Sequence, residues 1–193
     1  MNKISDDILC KVEKPARYVG GELNQVIKNP NEVDIRFAFC FPDVYEVGMS
    51  HLGTRILYHT INERSDTYCE RTFAPWPDME KLMRENNIPL YTLETKDPLD
   101  KFDILGFTLQ YEMSYTNILN MLDMSGITIR ASERGEDEPI VMAGGPCAYN
   151  PEPLYDIVDF FEIGEGEEMM DDVLEVYAKH KANGKVNKKE FLR

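Results

Sequence analysis

The sequence predicts an α/β domain built on a doubly wound parallel sheet of about five strands. From residue 33 onward, strand-like apolar runs alternate with amphipathic helical stretches. This alternation is typical of parallel strands joined by right-handed crossovers. Several of the runs are continuously apolar, as is expected for strands buried on both faces of a parallel sheet.

The first half of the pattern contains three strand-like runs. Residues 35–41 are rich in aromatic side chains and predict the first strand, and the apolar spacing over roughly 49–64 predicts the helix that follows. Residues 67–73 predict a second, more polar strand. A helix is expected to begin at Pro77 and to end at the asparagine pair 86–87, before a short third strand over residues 90–93.

The second half contains the clearest buried strand, over residues 104–109. A helix follows it and is closed by Gly126, since glycine is favoured just past a helix end. Further strands are predicted over 140–143 and 157–163, and the last helix includes residues 170–177. This order of elements indicates a flavodoxin-like fold.

The chain divides into three parts by composition. Residues 1–32 are predicted to form an N-terminal arm on the domain edge, and residues 33–180 the α/β domain. Residues 181–193 are basic and polar, which predicts the start of a linker to a further domain. We therefore expect the chain to be one part of a longer polypeptide.

Composition excludes several classes of function. The 21 basic and 35 acidic residues give a net charge of −14, which disfavours direct binding to nucleic acid or to anionic lipid. No apolar run approaches the roughly 20 residues that a membrane helix needs, and a cytoplasmic protein is expected. The four cysteines are far apart in sequence, so neither a zinc ribbon nor an iron–sulfur motif is predicted here. No metal ligand and no catalytic residue is assigned to this segment.

Three loops are expected to meet at the carboxyl edge of the sheet, where α/β domains usually bind ligands. They are residues 42–48, 108–114 and 144–150. Their candidate cofactor-binding residues are Asp43, Tyr45, Gly48, Thr108, Gln110, Gly144 and Gly145. Each also has a purely structural interpretation, in which Asp43 caps its loop and Tyr45 packs on the sheet edge.

His51 is the histidine nearest to the first loop. It lies three residues past Gly48 in the first turn of the predicted helix, so its side chain is expected to point in a different direction from the loop.

The first loop resembles a cofactor-binding motif. Asp43-x-Tyr45-x-x-Gly48 is similar to the Asp-x-His-x-x-Gly motif of cobalamin-binding domains, with tyrosine where the family has its cobalt-ligating histidine. A phenol with a reference pKa near 10 is a poor neutral donor to cobalt. The resemblance therefore implies cobalamin bound without a histidine ligand, its lower axial position empty or water-filled.

The later loops resemble the other elements of the same family. Thr108 matches the small hydroxyl residue at a strand end, and the resemblance implies that Thr108 and Gln110 hydrogen-bond the nucleotide tail of the corrinoid. Gly144 and Gly145 match the paired glycines, which let the backbone approach a flat ligand.

A fourth segment extends the resemblance to a larger class of enzyme. Residues 159–167 read Asp-Phe-Phe-Glu-Ile-Gly-Glu-Gly-Glu, similar to the end of the N-terminal cobalamin-binding-like region of radical S-adenosylmethionine (SAM) enzymes. Together with residues 15–22, 73–78 and 144–147, the whole chain resembles a bacterial family of such Fe–S oxidoreductases.

The resemblance implies a domain that is not catalytic on its own. It would position a corrinoid or a substrate for a downstream domain of the same polypeptide, which holds a [4Fe–4S] cluster and SAM in an oxidoreductase or methyltransferase. An alternative is a degenerate domain without cofactor, whose side chains fill the crevice and whose acidic surface docks the catalytic domain or another partner. A flavin or nucleotide binder is disfavoured, because no G-x-G-x-x-G turn follows the first strand and because Asp43 and Glu46 repel phosphate.

Overall fold

Five parallel strands form the central sheet of the protein, seen in a computed structural model that describes residues 4–182 and 185–193. The strands are β1 (Ile35–Phe41), β2 (Thr67–Phe73), β3 (Ile104–Thr108), β4 (Ile140–Gly144) and β5 (Phe160–Phe161). Their order across the sheet is β2-β1-β3-β4-β5, and every neighbouring pair is parallel. The predicted α/β, flavodoxin-like sheet is therefore confirmed.

Eight α-helices accompany the sheet in the described ranges. They are α1 (Asp6–Leu9), α2 (Ala16–Val19), α3 (Tyr45–Ser50), α4 (Leu52–Glu63), α5 (Pro77–Glu85), α6 (Tyr115–Met124), α7 (Gly166–His180) and α8 (Lys188–Phe191). A small antiparallel pair, β6 (Lys181–Ala182) and β7 (Lys185–Val186), lies between α7 and α8. Over the residues described, none of these helices is both long enough and apolar enough to cross a membrane.

Each face of the sheet carries its own apolar core. On one face, strand residues such as Phe37 and Met142 pack with Tyr58 of α4 and Leu174 of α7. On the other face, buried side chains of α5 and α6 pack against alternate strand positions and against the N-terminal segment. A doubly wound arrangement results, in which α4 and α7 are neighbours on the same face.

Three predicted elements were wrong in detail. The last strand, predicted over 157–163, is only the two-residue β5. Residues 90–93 do not form a strand. Leu93 N donates to the Arg71 carbonyl of β2 at 2.8 Å, but Leu90 N donates to the Met124 carbonyl, and Tyr91 makes only an isolated antiparallel bridge with Pro98. The helix predicted over 49–64 is two helices, α3 and α4, interrupted at His51, whose extended backbone (φ −74°, ψ 120°) starts α4 anew.

The last residues pack on the domain. Lys181 Nζ donates to Asp103 Oδ1 at 2.6 Å, and the ring of Phe191 lies 5.3 Å from that of Tyr177 and 5.9 Å from that of Phe160. Whether residues 181–193 lead on into a linker stays a prediction, as do the other predicted domain bounds.

Candidate functional site

A cavity of about 180 Å³ lies at the carboxyl edge of the sheet, between the first turns of α4 and α7. The strand ends place its polar and glycine residues, and its walls are completed by apolar side chains of β1, β4 and the two helices. The residues that give it chemical character are His51, Thr108, Gln110, Gly144, Gly145, Glu162, Gly164 and Glu167.

Thr108 and Gln110 form one polar wall of the cavity. Thr108 is the last residue of β3, and Gln110 follows two residues later, so the carboxyl end of the strand brings both side chains to the same edge. The Gln110 side-chain amide donates to Thr108 Oγ1 at 2.6 Å. The threonine hydroxyl retains its own hydrogen to donate, since it acts as the acceptor in this pair.

Gly144 and Gly145 let the backbone form a second wall. Gly145 has φ +103°, and a Cβ at this position would lie 3.1 Å from the carbonyl oxygen of Leu109. A Cβ on Gly144 would lie 3.4 Å from Glu162 Oε2. A side chain at Gly145 would be strained by the positive φ and crowded by the Leu109 backbone, and one at Gly144 would lie against the Glu162 side chain.

Glu162 is the most unusual residue of the site. It follows β5 directly, its backbone N–H donates to the Ala143 carbonyl at 2.8 Å, and only 7% of its surface is exposed. In the part of the chain that the structure describes, its buried Oε1 has no hydrogen-bond partner. Burial, together with the charge of nearby Glu167, raises the pKa of the Glu162 carboxyl to about 7.

His51 also lines the cavity, whereas Asp43, Tyr45 and Gly48 of the first loop do not. It is the N-cap of α4, and its Nδ1 accepts a hydrogen bond from Thr54 N at 3.1 Å. Because Nδ1 is the acceptor, the neutral ring carries its proton on Nε2. The signal that could have placed it is its position just before Leu52-Gly53, where a helix needs a capping side chain.

The first loop lies apart from the cavity. Tyr45 packs edge-on against Phe73, with ring centroids 5.5 Å apart, and its hydroxyl donates to Glu22 Oε1 at 2.7 Å. Gly48 is packed so closely that a Cβ would lie 2.3 Å from the Phe73 ring. Asp43 Oδ1 accepts from Val44 N at 2.7 Å and so caps its own loop.

The structure thus brings together four of the seven predicted site residues: Thr108, Gln110, Gly144 and Gly145. His51 and Glu162 also line the cavity. In loop 43–48, Asp43 caps its own loop and Tyr45 packs on the edge of the sheet, which are the structural roles that the sequence analysis gave as the alternative to cofactor binding. Within the described ranges, no group of three or more histidine, cysteine or acidic side chains is arranged to hold a metal ion.

Fold and cavity together define a doubly wound α/β domain with a ligand-sized opening at the carboxyl edge of its sheet. Residues 53–193 match the family described as radical SAM proteins, N-terminal, and the chain belongs to this family. The chain is also similar to an uncharacterized protein of Methanocaldococcus jannaschii, with 27% identity over 161 residues. That match covers 78% of this chain and 30% of the relative, so the chain spans less than a third of the relative's length.

Proposed function

We propose that this domain binds a corrinoid at the carboxyl edge of its sheet and positions it for a catalytic radical SAM domain elsewhere in the polypeptide. The observation that supports the proposal is the cavity itself. It opens beside Thr108 and Gln110, to which the sequence resemblance assigns the nucleotide tail, and beside the glycine pair, to which it assigns the close approach of a flat ligand.

The size of the cavity fits part of a corrinoid. Pockets that enclose a whole drug-sized ligand measure roughly 300–1,000 Å³. A cavity of about 180 Å³ therefore accepts one planar ring system, such as the base of the tail, while the macrocycle would lie outside on the edge.

The surface around the cavity mouth is suited to a large apolar partner. Exposed apolar side chains lie in the loops after β3, β4 and β5 and at the first residue of α4. They are Leu52, Tyr111, Met113, Tyr149 and Ile163. In the proposal these side chains would contact the corrinoid and the downstream domain.

The protein supplies no cobalt ligand from the first loop. Burial and the neighbouring Glu22 carboxylate raise the pKa of Tyr45 to about 12, so the phenol stays neutral and keeps its hydrogen bond. The residues that would hold the cofactor are therefore those of the tail cavity. A bound corrinoid supplies a cobalt centre for methyl transfer or for assistance to a radical step. The [4Fe–4S] cluster and SAM would belong to the remainder of the polypeptide.

The proposal is tested by incubating the protein with hydroxocobalamin, desalting it and recording the visible spectrum. We expect retained corrinoid with wild type and with Gly135→Val, an exposed control, and none with Gly144→Val, which places a side chain beside Glu162 in the cavity. Cobinamide, which has the corrin but no nucleotide tail, should not be retained. Failure of wild type to retain hydroxocobalamin would overturn the proposal.

A further inference from the structure

We infer that Glu162 recognises an aromatic nitrogen heterocycle in the cavity by donating a hydrogen bond to an unprotonated ring nitrogen. This inference deepens the proposed function and rests on it for the identity of the ligand as a tail base. A ring nitrogen of adenine could accept the same hydrogen bond, so the experiment below distinguishes an adenine from the tail base of a corrinoid.

The geometry around the carboxyl group indicates a missing partner. Glu162 is more than nine-tenths buried and lines the cavity, yet its Oε1 has no hydrogen-bond partner among the described residues. A buried polar atom without a partner costs about 1–3 kcal/mol, so natural proteins rarely keep one unless a ligand or a reaction uses it.

Glycines leave this carboxyl group accessible from the cavity. A Cβ on Gly144 would contact Oε2 at 3.4 Å, and a Cβ on Gly166 would lie 3.8 Å from Oε1. Both positions lack that atom, so a flat ligand is able to reach the carboxyl edge without displacing the protein. The walls beside it include Phe39, Phe107 and Met142, which suit the faces of an aromatic ring.

The surroundings favour the neutral acid, which is the form that donates. The other titratable groups lining the cavity are Glu167, from the first turn of α7, and His51, at the start of α4. Glu167 disfavours a second negative charge, and burial acts in the same direction, so the pKa of Glu162 is raised to about 7. A ring nitrogen with a lone pair is the complementary acceptor, and ionisation of Glu162 would remove the donated proton.

The test compares two ligands of the same shape. The probe 1,5,6-trimethylbenzimidazole has one unprotonated ring nitrogen, whereas 1,5,6-trimethylindole has a C–H in its place. By calorimetry or ligand-observed NMR at pH 6.0, we expect wild type to bind the benzimidazole about tenfold more tightly, the ratio that corresponds to one hydrogen bond of about 1.4 kcal/mol. The preference should disappear at pH 8.5.

Two variants isolate the carboxyl group. Glu162→Gln retains a neutral N–H donor and should keep the preference at both pH values, whereas Glu162→Met has no donor and should lose it at both. Glu168→Gln, an exposed change in α7, should behave as wild type. Three results would overturn the inference: a preference for the benzimidazole that survives in Glu162→Met, a wild type without that preference, or a preference that still depends on pH in Glu162→Gln. The last of these would point to His51.

The remaining arms separate this inference from the proposed function. Adenosine bound more tightly than the benzimidazole, with the same dependence on Glu162, would support the inference and contradict corrinoid as the ligand. Hydroxocobalamin retained equally by wild type and Glu162→Met at pH 6.0 would support the proposed function and overturn the role of Glu162.

Discussion

Replacing Glu162 with glutamine is expected to change how the stability of the protein depends on pH. The folded-state pKa of this carboxyl is about 7, against an ordinary value of 4.5. Below pH 4.5 the group is protonated in both the folded and the unfolded chain, so it contributes no penalty. As the pH rises from 4.5 to 7 the unfolded chain ionises first, and the folded protein loses stability; above pH 7 no further loss occurs.

The size of the effect follows from the two pKa values. At about 1.4 kcal/mol per pKa unit, the whole loss is about 3 kcal/mol, of which about 2 kcal/mol falls between pH 5.5 and pH 8.5. We restrict the measurement to this range because a chain with a net charge of −14 at pH 7 loses that charge in stronger acid and becomes prone to association.

Urea denaturation followed by circular dichroism measures this difference. Between pH 5.5 and pH 8.5, the free energy of unfolding of Glu162→Gln should rise by about 2 kcal/mol relative to that of wild type. The exposed control Glu168→Gln should show no such relative change. Parallel stability profiles for wild type and Glu162→Gln would refute the reasoning, since they would mean that Glu162 ionises as freely in the folded protein as in the unfolded chain.

Three further perturbations test the fold and the site. Gly106→Ala should destabilise the domain by about 1–3 kcal/mol in urea, because its Cβ would lie 2.4 Å from the Phe37 ring. Glu94→Ala should cost about 3–5 kcal/mol, because the Arg71 guanidinium, which donates to Glu94 at 2.8 Å, would remain buried without its partner. Tyr45→Phe should leave corrinoid retention unchanged and cost about 0.5–1.5 kcal/mol for the lost hydrogen bond of its hydroxyl.

Each of these has a control or a contradicting outcome. Gly135→Ala, at an exposed position, should leave stability within about 0.5 kcal/mol of wild type. If Glu94→Ala were as stable as wild type, the buried ion pair would make no contribution to stability. Loss of corrinoid from a folded Tyr45→Phe variant would mean that the phenol hydroxyl contacts the cofactor, against its position on Phe73.

The sequence predicted the parts of the fold whose pattern is set by burial. β1 and β2 occur at the predicted residues. β1 is a central strand with a nearly continuous apolar run, and β2 lies at the edge of the sheet with all seven of its residues buried. Residues 90–93 have similar local composition, but their tertiary position decided against a strand, since their backbone hydrogen bonds are divided among β2, the end of α6 and the loop that follows. A local pattern does not encode that placement.

The site was predictable to a similar extent. Strand ends located Thr108 and the glycine pair, because carboxyl ends of parallel strands share one edge of the sheet. The sequence left the packing of Tyr45 on the sheet edge as an alternative and did not decide for it, since its direction depends on an aromatic contact with Phe73 of another strand. Nor did it single out Glu162 from the acidic residues around it. Its special character comes from burial without a partner, which only the packing of β5 and α7 creates.

The account depends most on a nucleotide tail entering the cavity at the carboxyl edge. The direct measurement is a ¹H–¹⁵N NMR titration of the protein with hydroxocobalamin, with the backbone amides assigned. The largest shifts should fall on Thr108, Gly144, Gly145 and Gly164, and cobinamide should leave these four amides unmoved. Shifts confined to other surfaces, or the same shifts with cobinamide, would contradict it.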